Sequence, residues 1–281
     1  MGIASLMNRE DRRAVSAVGR ARRQVAAAVD LIVIALRAGG RLFFVGAGTS
    51  GRLGVLEAAE CPPTFGTPPR LVQAIMAGGR AAVFRSREGA EDDERAAARA
   101  MRLRVREGDA VVGVSASGVT PFVRAALRAA RAQGAATILV ACSPVADRRL
   151  ARVVIALAPG AEVLAGSTRL KAGTATKLVL NTLTTASMAR LGKMYGNRMV
   201  DMQPRSRKLR ERAVRLVAEI GGVPSTRARR LLTEAAGRVP VAIIMTRRDL
   251  RADAAARALR AAGGSLRSVI EPAEVRKKFH R

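Results

Sequence analysis

Short apolar runs, separated by polar and glycine-punctuated stretches, set the rhythm of this chain. Leu42–Val45, Leu71–Met76, Ala110–Val114, Ala136–Ala141 and Val153–Leu157 are each too brief for an ordinary helix. They suit strands buried on both faces. Between them apolar residues return at helical spacing, as in Leu53, Val55, Leu56 and Ala59, or Val123, Ala126 and Leu127. Strands alternating with helices predict a parallel sheet covered on both sides. Ahead of the first strand, residues 8–38 read as helical. Asn8 is a cap candidate, Asp11 sits in the first turn, and Val15, Val18, Val25, Ala28, Leu31, Ile32 and Leu36 form an apolar face. A long helix is expected to end near Leu191, with a loop over 192–201. From Ala213 the pattern changes to three or four short helical segments separated by glycine. Two domains are therefore expected: an α/β domain over 1–212 and a helical bundle over 213–281.

The segment after the first strand carries the sharpest signal. Gly46-Ala47-Gly48-Thr49-Ser50-Gly51 joins a strand to a helix, the layout that aims backbone N–H groups and a helix N-terminus at an anion. Its glycines fit the dinucleotide fingerprint, which also wants an acidic residue ending a second strand about 20 residues on. At that distance stands Cys61-Pro62-Pro63-Thr64-Phe65-Gly66-Thr67-Pro68-Pro69, read as a stiff proline-rich loop. With Thr49 and Ser50 inside the turn, a phosphate monoester fits better than a bridging pyrophosphate. Two further hydroxyl-rich segments follow: Ser115, Ser117 and Thr120 after the third strand, and Ser167 and Thr168 ahead of Lys171. Convergence of these segments at the carboxyl edge of the sheet would make a phosphate cradle. The bland alternative is that each caps its own helix, a role natural to Ser167 and Thr168.

Composition narrows the class. Hydrophobic residues are 49% of the 281, and no apolar run reaches the length of about 20 needed to span a membrane. The N-terminus lacks the apolar core of a secretory signal. Two cysteines and one histidine exclude a disulfide scaffold and the usual zinc sites. A soluble cytoplasmic protein is expected. The net charge of +28 invites a nucleic-acid reading. However, the excess is almost all arginine, it is spread along the chain, and aromatics are 2%. Stacking platforms are missing, so sequence-blind attraction to polyanions is expected, without specific nucleic-acid recognition.

Two acids draw notice. Glu60 stands among small and apolar neighbours, and Glu91 lies in an acidic run at a loop-to-helix junction. Two carboxylates in different environments are what proton abstraction followed by leaving-group protonation requires. The plainer readings are a surface acid for Glu60 and a dipole-favoured helix acid for Glu91. His280, in a basic tail, is not a catalytic candidate.

GAGTSGRLGVLEAAECPPTFG, EGAEDD, SASGVTP, GSTRLKAGTATKLVLNTLTT and LGKMYGNRMVDM, in this order, resemble the N-acetylmuramic acid 6-phosphate etherases, members of the sugar isomerase (SIS) family of phosphosugar-binding domains. The resemblance implies a three-layer, flavodoxin-like parallel-sheet domain followed by a small C-terminal helical bundle. It implies a cytoplasmic lyase working without metal or organic cofactor, paired as a homodimer with its site near the subunit interface. The implied reaction removes the C2 proton of the open-chain sugar, expels D-lactate from C3 and adds water. Glu60 matches the family's proton donor and Glu91 its second catalytic acid, assigned here as the base. Gly48, Thr49, Ser50, Ser115, Ser117, Thr120, Ser167, Thr168 and Lys171 match its phosphosugar contacts. Val119 departs from the pattern, standing where the family commonly has arginine. A non-catalytic phosphosugar sensor and an aldose–ketose isomerase share the same cradle and stand as alternatives.

Overall fold

The computed structural model describes residues 2–144, 146–202, 204 and 206–271; the basic tail with His280 lies outside them. The N-terminal helical pattern resolves into two helices, α1 (Gly2–Arg20) and α2 (Arg22–Arg37). They part at Ala21, whose amide is shared between the Ala17 and Val18 carbonyls. The helix starts at Gly2, so Asn8 is interior and not a cap. The expected apolar face is also displaced. Ala14 and Ala17 are buried along with Glu10, while Val15 is exposed.

The sheet follows in the expected order: β1 (Leu42–Gly46), α3 (Gly48–Phe65), β2 (Val72–Met76), α4 (Ala81–Phe84), α5 (Glu94–Arg104), β3 (Ala110–Ser115), α6 (Pro121–Ala132), β4 (Ala136–Ala141) and β5 (Val153–Ala156). The long helix α7 (Lys171–Arg190) comes next. All five strands are parallel, in the spatial order β2-β1-β3-β4-β5. β1 and β3, the strands most completely buried, sit at the centre. Phe43, Val45, Val111 and Leu139 face a core with Met101, Phe122, Val123 and Leu127 from α5 and α6. Alternate residues turn to the other face, where Gly54 of α3 lies so close to Phe44 that a β-carbon there would approach its Cβ to 2.8 Å. This is a three-layer, flavodoxin-type order, and its direction of winding reverses between β1 and β3. Ligands bind outside the carboxyl ends of the strands at such a reversal. The two turns that leave from it are Gly46–Gly51 and Ser115–Thr120.

α3 corrects one expectation. Cys61–Phe65 is no loop but the last turn of the helix, with Pro62 and Pro63 inside it. Neither proline has an amide hydrogen to give the carbonyl four residues back, so this last turn is held with two helix bonds fewer.

Two compact units divide the chain, one running to Glu60 and resuming over Pro68–Ser187, the other taking Cys61–Thr67 and continuing from Met188. The second holds a small hairpin, β6 (Met194–Tyr195) with β7 (Arg198–Met199), where only a loop was expected. Its helices are α8 (Arg207–Gly221), α9 (Ser225–Glu234), α10 (Val239–Arg248), α11 (Ala252–Ala261) and α12 (Leu266–Ile270). They enclose a core that includes Val217, Leu232, Ile243, Ile244 and Leu266. α12 was not foreseen. Among the described residues, no helix is long and apolar enough to cross a membrane.

Candidate active site

Glycine is required in the turn after β1 by close approach. A β-carbon on Gly51 would lie 2.6 Å from the Gly46 carbonyl oxygen, and one on Gly46 would lie 2.7 Å from the Gly51 nitrogen. Gly48 has φ +53°, in the left-handed region. The compact turn puts Gly48, Thr49 and Ser50 at the start of α3, where backbone N–H groups have no partner within the helix. No side-chain oxygen caps them among the described residues, so this N-terminus stands open to an anion.

The turn after β3 is a hydroxyl network. Ser115 is buried, and its Oγ lies 2.7 Å from Thr120 Oγ1 and accepts from the Gly118 amide at 3.0 Å. Ser117 Oγ accepts from the Val119 amide at 3.3 Å. Thr120 precedes Pro121 at the start of α6 but makes no capping bond, so the capping alternative fails for it. Val119 is exposed beside this network.

The start of α7 overturns another expectation. Ser167 and Thr168 do not cap it. The Glu162 carboxylate does, accepting from the Lys171 and Ala172 amides at 3.0 Å each. Glu162 sits nine residues back in sequence, outside the local window in which caps are read. Lys171 turns inward: it is 1% exposed, and its ammonium is ion-paired with Glu10 of α1. The Glu10 carboxyl is held below the usual glutamate range, chiefly by that bond.

The turns after β1 and β3 each approach the start of α7. Thr49 Cγ2 lies 3.8 Å from the position a β-carbon on Gly173 would take, which sets the β1 turn against the first turns of α7. The Cys142 amide donates to Ala116 in the β3 turn at 2.9 Å, and its thiol donates to the Ala172 carbonyl at 3.5 Å. Burial pushes the Cys142 thiol up, keeping it protonated and poorly nucleophilic.

The two acids are placed differently. Glu91 lies in a 3-10 turn, Ala90–Asp92, and is spared capping duty because Asp93 caps α5. It lines a cavity of about 140 Å³ together with Gly48, Arg52, Ser86 and Arg87. Arg52 closes one wall by donating to the carbonyls of Val83 and Ala82 at 2.8 and 3.0 Å. Glu60 is exposed on α3 and is not among the cavity's lining residues. At 1.5 Å per residue it stands about 18 Å along the helix from Gly48. The buried acid of this helix is Glu57, one turn earlier and 4% exposed. Burial raises its carboxyl above the ordinary value, against a hydrogen bond from Thr184 that pulls it down.

An open helix N-terminus and a hydroxyl network at the β1/β3 reversal of a five-stranded parallel sheet define the SIS class of phosphosugar-binding folds. The N-terminal SIS domain of glucokinase regulatory protein matches residues 24–131. A phosphoheptose isomerase from Francisella tularensis superposes with a TM-score of 0.53 at 15% identity, over 67% of this chain and 97% of that one. The particular family is narrower. The chain is 48% identical to an N-acetylmuramic acid 6-phosphate etherase of Synechocystis over 96% of its length and 90% of the relative's. It is 52% identical to one from Gloeobacter violaceus over 96% and 89%. The chain belongs to the N-acetylmuramic acid 6-phosphate etherase family.

Proposed function

We propose that this chain is a carbon–oxygen lyase that cleaves the D-lactyl ether of N-acetylmuramate 6-phosphate, giving N-acetylglucosamine 6-phosphate and D-lactate in the recycling of cell-wall sugar in the cytoplasm. The observation that carries it, beside family membership, is Glu91 facing the same small cavity as the open start of α3. The sugar phosphate binds at the amides of Gly48, Thr49 and Ser50 and the hydroxyls of Ser117 and Thr120, while Ser115 holds its turn in shape. Ser167, Thr168 and Lys171 shape the wall around α7. Opening of the sugar ring exposes the C1 aldehyde, which acidifies the C2 proton. Glu91, as carboxylate, takes that proton. The C2 electron pair forms the C2–C3 double bond as the C3–oxygen bond breaks, and lactate leaves with a proton from Glu60. Water then adds across the double bond, its hydroxyl going to C3 and a proton to C2.

Exposure of Glu60, about three turns from the cradle, supports a homodimer in which Glu60 serves the partner's site. D-lactate release from N-acetylmuramate 6-phosphate tests the reading. The wild type releases lactate, and Glu60→Ala and Glu91→Ala each lose it by at least about a hundredfold, as expected for a missing general acid or base. Phosphosugar binding without lactate release by the wild type would sink the proposal.

A further inference from the structure

Glu57 is a buried, ionisable residue with no part in the chemistry above. Its carboxylate accepts from the Thr184 hydroxyl at 2.7 Å and from the side-chain amide of Asn181, both on α7. Burying a carboxylate costs free energy unless it is well bonded, so an acid at a place where leucine would pack points to a task beyond filling space.

The contact also has a register. Thr49 meets α7 at Gly173, and Glu57 meets it at Asn181. Each pair lies eight residues along its own helix. Equal steps of about 12 Å mean that α3 and α7 run side by side in the same direction. Parallel helices bring their positive ends together, which suits an anion but leaves the empty ends repelling each other. Glu162 neutralises the end of α7, while that of α3 is left for the ligand. A tie deeper in the pair keeps the two helices in step.

We propose that Glu57 is a positioning residue of the phosphosugar site: through Thr184 and Asn181 it holds α3 in register on α7 and so fixes where the open start of α3 meets the phosphate. The inference rests on the phosphosugar reading above. Glu57 touches no substrate, lying about 13 Å along α3 from Gly48. The charged groups facing it are Lys177 of α7 and Glu60 of its own helix.

Glu57→Ala, Glu57→Gln and Thr184→Val are compared with the wild type by lactate-release kinetics and by calorimetric titration with N-acetylglucosamine 6-phosphate. Glu57→Ala raises KM and Kd together by about tenfold and changes kcat by less than about threefold, the scale of a slightly displaced binding group. Glu57→Gln keeps an acceptor oxygen for Thr184 and recovers most of the affinity. Thr184→Val preserves shape while removing one donor; it raises KM in the same sense and carries the test if Glu57→Ala does not fold. A lowered Tm with wild-type KM and Kd in these variants makes Glu57 a packing residue and overturns the proposal. Titration reads binding without turnover, so failure of the etherase reading and failure of the Glu57 proposal give different results.

Discussion

Two buried glutamates give this protein opposite responses to pH. Glu57 has a folded pKa above its ordinary value because burial disfavours the carboxylate. Its contribution to stability is fully present below the ordinary glutamate pKa and is lost as pH rises through the raised one. Glu57→Gln, neutral at every pH, is therefore expected to flatten the urea midpoint between pH 5 and pH 8 and to be at least as stable as the wild type at pH 8. Glu10 has the reverse sign. Its folded pKa lies below the ordinary value through Lys171, so its contribution is present above that value and is lost as pH falls through the lowered one. Glu10→Gln leaves the Lys171 ammonium buried without its carboxylate. Its Tm falls at pH 7, and the gap from the wild type narrows in acid. Neither role was legible locally. Glu57 and Glu60 both stand between small or apolar neighbours in sequence, and only the face of α3 that α7 covers decides which is buried. Glu10 and Lys171 are 161 residues apart.

At the scale of elements, the sheet is anchored at its amino edge by Asp109, which is fully buried just before β3. Its carboxylate accepts from the Arg41 amide and guanidinium, just before β1, and from the Arg106 amide. Asp109→Ala leaves the Arg41 and Arg106 amides without this acceptor, while the partly exposed Arg41 guanidinium keeps the Arg104 carbonyl, and is expected to cost about 1–3 kcal/mol in denaturant unfolding. α3 is seated on β1 through Gly54. An alanine there would press a methyl into Phe44, so Gly54→Ala is expected to cost about 1–3 kcal/mol by overpacking. The strands were legible because a strand buried on both faces is an unbroken apolar run, as in Ala110–Val114. The break at Ala21 and the helical proline turn at Cys61–Phe65 were not, because neighbouring structure overrides weak local preferences there.

At the scale of the whole molecule, the proposed division of the site between subunits makes a sharp prediction. Mixing Glu60→Ala with Glu91→Ala protein after subunit exchange restores roughly a quarter of wild-type lactate release, since half of random dimers are mixed and each carries one intact site. No recovery from fully exchanged dimers would place both acids in one subunit's site. The charge of +28 makes its own prediction: weak, sequence-blind DNA binding that disappears steeply as salt rises.

By itself the sequence determined the order of the five sheet strands, the glycine turn after the first and the places of the hydroxyl-rich turns, because each depends on spacing within a few residues. The family resemblance rested on the same local motifs. Tertiary structure alone decided that Glu162 caps α7 in place of Ser167 or Thr168, that Lys171 is spent on Glu10, and that Glu57 rather than Glu60 is buried. Each of those outcomes depends on which surfaces of distant elements are pressed together, and a periodic pattern within one element carries no record of its partner.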